Sequence, residues 1–224
     1  MPIFNSQILD IDRKEAKRYA GLQKSNFDDK IIDEACELAR LIINPRGIWE
    51  QYDYDEISQT IKASPEFQLK GNSIKKHLTG CKKVILIAVT VGIEIENKIT
   101  SLFKEGKYGL SLILDAAATA AVEQSADQME KAIKNQVVKQ GYNMKWRFSP
   151  GYGDWPIQQQ PEIVKAVQAE AIGISLTESM MLEPRKSITA LIGLYEEANE
   201  CIMDISNKGC SSCNKTDCPS RVKT

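Results

Sequence analysis

Residues Trp146 to Pro156 read WRFSPGYGDWP, a dense mixture of side chains able to do chemistry. Arg147 offers a planar fork of N–H donors that matches a carboxylate. The glycines at 151 and 153 let backbone amides and carbonyls approach a flat ligand closely. Together these residues suit a small amphoteric ligand. They suit equally a surface turn in which Arg147 pairs with a neighbouring carboxylate and Trp155 packs beneath.

A second concentration closes the chain, where Cys210, Cys213 and Cys218 stand as C-x2-C-x4-C after a glycine. In a reducing compartment such thiolates suit zinc or an iron–sulfur cluster, with Cys201 available as a fourth ligand, or else they are the ordinary thiols of a tail. Cys36 and Cys81 stand singly, unlike a secreted disulfide framework. The one histidine, His77, lies in KHLTG with Lys75 two residues before it. A lysine cannot accept an imidazole proton as a carboxylate would, so His77 is not expected to hold cobalt, and the adjacent lysines favour exposure.

Several elements must position these groups. Apolar residues at 31, 32, 35, 38, 39, 42 and 43 predict an amphipathic helix from Phe27 to Ile43, stopped by Pro45 and Gly47. One short strand is expected within Gly47 to Tyr54. Lys83 to Thr90, KVILIAVT, has the continuous β-branched character of a strand buried on both faces. Helices are expected over Ile93 to Phe103 and Leu110 to Lys139. In the second, Ala116, Ala117, Ala118, Ala120 and Ala121 allow another element or a ligand to come close, and Gly141 ends it. Met144 to Phe148 is expected as a strand and Pro161 to Ala171 as a helix. Ser179 to Leu182 with Ser187 to Leu194 predicts a hairpin about Pro184, and a helix over Tyr195 to Ile205 is expected before the cysteines. Without regular βαβ alternation, the pattern is that of an α+β fold, a largely antiparallel sheet with packed helices.

The chain of 224 residues divides into one domain over 1–205 and a cysteine-rich tail over 206–224. A formal net charge of -1 gives no support to nucleic-acid binding. The start MPIFNSQILDIDRKEAKR lacks the pattern of a secretory signal, and the longest apolar stretch, Val84 to Ile93, is too short to span a membrane. A cytoplasmic protein with small-molecule and protein partners is expected.

Arg147, Gly151 and Tyr152 resemble the R-x-x-x-G-Y signature of the activation domain of cobalamin-dependent methionine synthase. Leu176, Thr177, Glu178 and Ser179, then Pro184 and Ser187, resemble its L-T-E-S and P-x-x-S segments, and Glu123 resembles its helix glutamate. The resemblance covers Gly109 to Gly193 and includes no aspartate from the first hundred residues. It implies S-adenosylmethionine as ligand, its carboxylate on Arg147 and its ammonium on Glu123. Gly151 and Tyr152 would supply backbone and packing contacts, with Thr177, Glu178 and Ser179 adjacent. Asp115, about 80° around the helix from Glu123, is left unassigned. No G-x-G-x-x-G unit supports a Rossmann-type methyltransferase.

In that family the domain rescues oxidised cobalamin: one electron from a flavodoxin-like or ferredoxin-like donor gives cob(I), which takes the sulfonium methyl group. A chain without its own corrinoid would act as a stand-alone subunit on cobalamin carried by a partner, a short methionine synthase or related corrinoid methyltransferase. Two other classes fit the sequence: a non-catalytic S-adenosylmethionine-binding adaptor or sensor, and a small redox module centred on the terminal cysteines.

Overall fold

The computed structural model describes residues 2–25 and 27–196. Its centre is β4 (Lys83–Thr90), whose apolar run is buried on both faces as the sequence predicts. Antiparallel partners flank it. One is β1 (Arg46–Asp55), and the other is β8 (Ser187–Glu196), in register from Lys83 opposite Leu194 to Thr90 opposite Ser187. With β2 (Thr60–Ile61), β3 (Phe67–Gln68) and β5 (Tyr142–Met144) the sheet has six strands in the order β3-β2-β1-β4-β8-β5.

Period-two alternation along the central strands sends side chains into two cores. Ile85, Ile87 and Val89 face α1 (Arg13–Tyr19), α2 (Asp29–Ile42), α4 (Glu94–Lys104) and α5 (Tyr108–Val137). Val84, Leu86 and Ala88 face the other core, with α3 (Asn72–His77), α6 (Gln160–Ala166) and Trp155. The arrangement is α+β with a fully antiparallel main sheet, as expected.

Local chemistry sets the helix ends. Asp28 accepts from the Lys30 amide at the start of α2. Asp12 does the same for Lys14 and Glu15 at α1, a helix whose signal in the sequence is Asp12 with Glu15 three residues on. The alanines of α5 are buried against neighbouring helices, so they serve close helix packing.

Four expectations need correction. The strand near Gly47 runs for ten residues, because pairing with β4 fixes it while half-buried side chains on both faces blur the alternation. The helix from Pro161 stops at Ala166, since Gln168 takes a positive φ of 52°, and a 3-10 turn follows at Ala169–Ile172. The hairpin about Pro184 does not form. β7 (Leu182–Glu183) pairs back with β6 (Ser175–Leu176), while the continuous buried run of β8 takes an interior place in the main sheet. Tyr195 and Glu196, expected to begin a helix, are the end of β8. The remainder of that helix and the cysteine tail lie outside the described residues.

Met144 to Phe148 departs from a plain strand. Met144 pairs with Leu194 and Phe148 with Leu191, so four steps on this edge match three on β8. The extra residue is a β-bulge, which reverses the side-chain alternation beyond it. Met144 and Arg147 consequently both face α5, while Phe148 enters the opposite core.

The centre of β8 has little spare room. A Cβ on Gly193 would lie 2.7 Å from the Cys81 Sγ and 2.8 Å from the Leu78 Cδ2, both buried. Gly193→Ala should therefore lower stability by about 1–3 kcal/mol through overpacking. In urea unfolding the midpoint should fall with the slope unchanged; an unaltered midpoint would mean that Leu78 and Cys81 yield at no cost.

Candidate functional site

The bulge delivers Arg147 to a row of carboxylates on α5. Its Nη2 donates to Glu123 at 2.6 Å, and its Nη1 donates to Asp127 at 2.6 Å and Glu130 at 2.9 Å. The acids follow i, i+4, i+7 spacing and so project from one helix face. The Arg147 side chain keeps 22% of its surface exposed. Burial opposes its charge, but Glu130, Asp127 and Glu123 outweigh burial and leave its pKa above the ordinary arginine value.

After the bulge the chain folds into a tight turn. The Gly151 amide donates to the Trp155 carbonyl at 2.8 Å and the Tyr152 amide to Ser149 at 3.1 Å. Trp155 is buried, and its indole N–H donates to Gln159 at 2.9 Å. Asp154 receives the Asn72 and Ser73 amides, each at 2.7 Å, and these bonds hold its carboxyl down at about 2. The contact is close: a Cβ on Gly153 would lie 2.7 Å from the Ser73 Oγ. The turn is thus fastened to the start of α3, with Tyr152 left exposed above it.

The ribbon formed by β6 and β7 supplies the facing rim. Thr177 and Ser179 hydroxyls lie 3.0 Å apart, and the Met181 amide donates to Thr177 Oγ1 at 3.1 Å. The corner after β7 is tied down by Glu96, a buried acid that receives the Lys186 amide at 2.9 Å and the Arg185 Nε at 3.3 Å. Lys186 Nζ in turn reaches Asp115 and Thr119, each at 2.9 Å. Asp115 is therefore engaged away from Arg147.

Between α5, the turn and the ribbon lies a cleft of about 1240 Å³. Glu123, Arg147, Tyr152, Thr177 and Ser179 line it, whereas Gly151 and Glu178 do not. The cleft walls also include Asp127, Glu130 and Trp146, which the sequence reading did not single out. The signal for the two acids was present as helical spacing from Glu123. The register that turns Arg147 toward them was not visible in the sequence. The ligand reading and the paired-arginine reading converge here: Arg147 is ion-paired and Trp155 buried beneath, at the wall of a large cleft.

His77 corrects another expectation. It is half-buried, with its ring 4.4 Å from Trp146 and 5.3 Å from Phe148 by centroids. The flanking lysines misled because α3 turns His77 inward. Its Nε2 lies 2.9 Å from the Trp146 carbonyl, which can only accept, so Nε2 carries the hydrogen. Among the described residues no cluster of three or more His, Cys, Asp or Glu could hold a metal ion, and Cys201, Cys210, Cys213 and Cys218 lie outside them. No helix among the described residues is long and apolar enough to cross a membrane.

Fold and site together define an α+β domain with a large, charged cleft beside an antiparallel sheet. The chain belongs to the vitamin B12 dependent methionine synthase activation domain family, whose model matches residues 64–208 of the 224. It is also similar in fold to a crystal structure of the MetH reactivation domain bound to AdoHcy. The TM-score is 0.61 at 13% identity, over 88% of this chain and 79% of that one. Comparison with curated proteins gives no match.

Burial pushes the His77 imidazole down to about 4, and Lys145 adds to this, against the opposing Trp146 hydrogen bond. Between about pH 6.5 and 4 the unfolded chain therefore binds the extra proton. The contribution is present in full above pH 6.5 and is lost as pH falls through 4, on the order of 3 kcal/mol. His77→Gln should flatten the stability profile across that window in urea unfolding. A variant as acid-sensitive as the wild type would place the effect elsewhere.

Proposed function

We propose that this chain binds S-adenosylmethionine in the cleft lined by Arg147 and Glu123, and supports reductive reactivation of cobalamin carried by a partner methyltransferase. The observation that carries this reading is the Arg147–Glu123 pair, 2.6 Å apart at the wall of a 1240 Å³ cleft. Membership of the activation domain family supports it, as does the similar fold of a domain bound to AdoHcy, the demethylated form of the ligand.

The residues present fit the ligand. Arg147 offers a guanidinium edge to its carboxylate and Glu123 a carboxylate to its ammonium. Tyr152 offers an exposed aromatic face for packing, and Thr177 with Ser179 offers hydroxyls on the facing rim. Gly151 contributes through the turn that holds Tyr152, and Glu178 flanks the rim. When bound, S-adenosylmethionine supplies a sulfonium methyl group for transfer to reduced cobalamin. Displacement at a sulfonium requires no proton transfer, so the work of this chain is to bind, orient and exclude water.

The corrinoid partner would be a short methionine synthase or related methyltransferase, with a flavodoxin-like or ferredoxin-like donor supplying the electron. The tail cysteines are proposed only as candidate zinc or cluster ligands.

Calorimetric titration of S-adenosylmethionine into the whole protein tests the reading. Saturable binding is expected, with Arg147→Ala and Glu123→Ala each weakening it by about tenfold or more, the effect of losing one charge-assisted contact. Absence of saturable binding by the wild type, both alone and with a corrinoid protein present, would refute it.

A further inference from the structure

The Arg147 guanidinium has more anionic partners than its charge requires. Three carboxylates meet it, and like charges one helical turn apart on α5 repel one another. A single glutamate would already satisfy the arginine in bidentate fashion. The division of contacts is uneven. Asp127 and Glu130 both hold Nη1, while Glu123 alone holds Nη2.

We infer that Asp127 and Glu130 are positioning residues that clamp Nη1, so that Arg147 and Glu123 share one openable contact into which the zwitterionic end of an α-amino acid inserts. The inference rests on the functional reading above and assigns these two acids a part in it. With Nη1 anchored, the guanidinium cannot swing both amino groups onto Glu123. A ligand then needs to open only the Nη2–Glu123 contact. Its carboxylate takes Nη2 and its ammonium takes Glu123, so one ion pair is exchanged for two with no net charge added. A ligand with only a carboxylate would leave Glu123 facing an anion, and one with only an ammonium would leave Nη2 without a partner. Without the clamp, Arg147 is free to form a two-bond fork with Glu123 that closes the entry.

The test compares three forms of the whole protein by calorimetry with S-adenosylmethionine as the probe, their folding checked by circular dichroism. The neutral double variant Asp127→Asn/Glu130→Gln should bind about tenfold more weakly than wild type. The charge-preserving exchange Asp127→Glu/Glu130→Asp should stay within about threefold, because longer and shorter side chains from the same helix face still deliver carboxylates to Nη1. Neutral-variant affinity equal to or tighter than wild type would overturn the clamp. So would an equal loss in both variants, which would trace the effect to shape and not to charge. Failure of the wild type itself to bind would instead bring down the functional reading, and the two failures are thereby told apart.

Discussion

A guanidinium withdrawn largely from water needs anionic partners, and the partners must be supplied by an element that cannot drift. Here the requirement is met between the edge of a sheet and one thirty-residue helix. Buried alanines let α5 lie close to its neighbouring helices, which fixes its rotation and leaves Glu123, Asp127 and Glu130 directed along the cleft. On the sheet side, one extra residue between the Met144 and Phe148 pairings turns Arg147 to meet them. Restoring regular register would send Arg147 into the apolar core on the other face. The ion cluster and the bulge thus depend on each other.

The remaining walls are fastened by the same means, polar anchors to backbone amides. Asp154 receives two amides of α3 and holds the glycine turn, and Glu96 receives the Lys186 amide and holds the corner beyond β7. Asp154 lies outside the cleft lining, and Glu96, which does line the cleft, has its carboxylate engaged by Arg185 and the Lys186 amide. Each fixes one rim of the cleft to the body of the fold, so Tyr152 and Thr177 face each other's space from segments that share no hydrogen-bonded ladder. The three walls come from parts of the chain far apart in sequence, and the sheet is their common reference.

How far the sequence disclosed this differs by residue. β4 and α5 were legible because long stretches carry one unambiguous pattern, continuous apolar burial in one and helical alanine spacing in the other. Glu123, Arg147, Tyr152, Thr177 and Ser179 were found through resemblance and do line a single cleft. The full length of β1, the bulge and the exchange of partners by β7 were not legible, since each is decided by what lies across the sheet. His77 failed for a related reason: neighbouring lysines report local polarity, whereas its burial comes from Trp146 and Phe148, some seventy residues away. Asp127 and Glu130 fell between these cases, visible as a helical stripe but without meaning until Arg147 was placed.

The chemistry left to the cleft follows from how its polar groups are used. The chain has one histidine, and it is spent inside the fold, its Nε2 hydrogen committed to a carbonyl and its charge suppressed by burial. What faces the cleft beside Arg147 is a set of carboxylates, hydroxyls and aromatic surface together with the cations Lys131, Lys134, Lys145 and Arg185, groups suited to recognising charge and shape. An arginine held by three acids is poor at donating protons and good at staying in one orientation. Under the proposed function, such a site would gain its effect from where it places the ligand relative to the corrinoid partner. That would place the burden of the proposed reaction on geometry between two molecules, and would make the rigidity of α5 and the bulged edge the property on which activity depends.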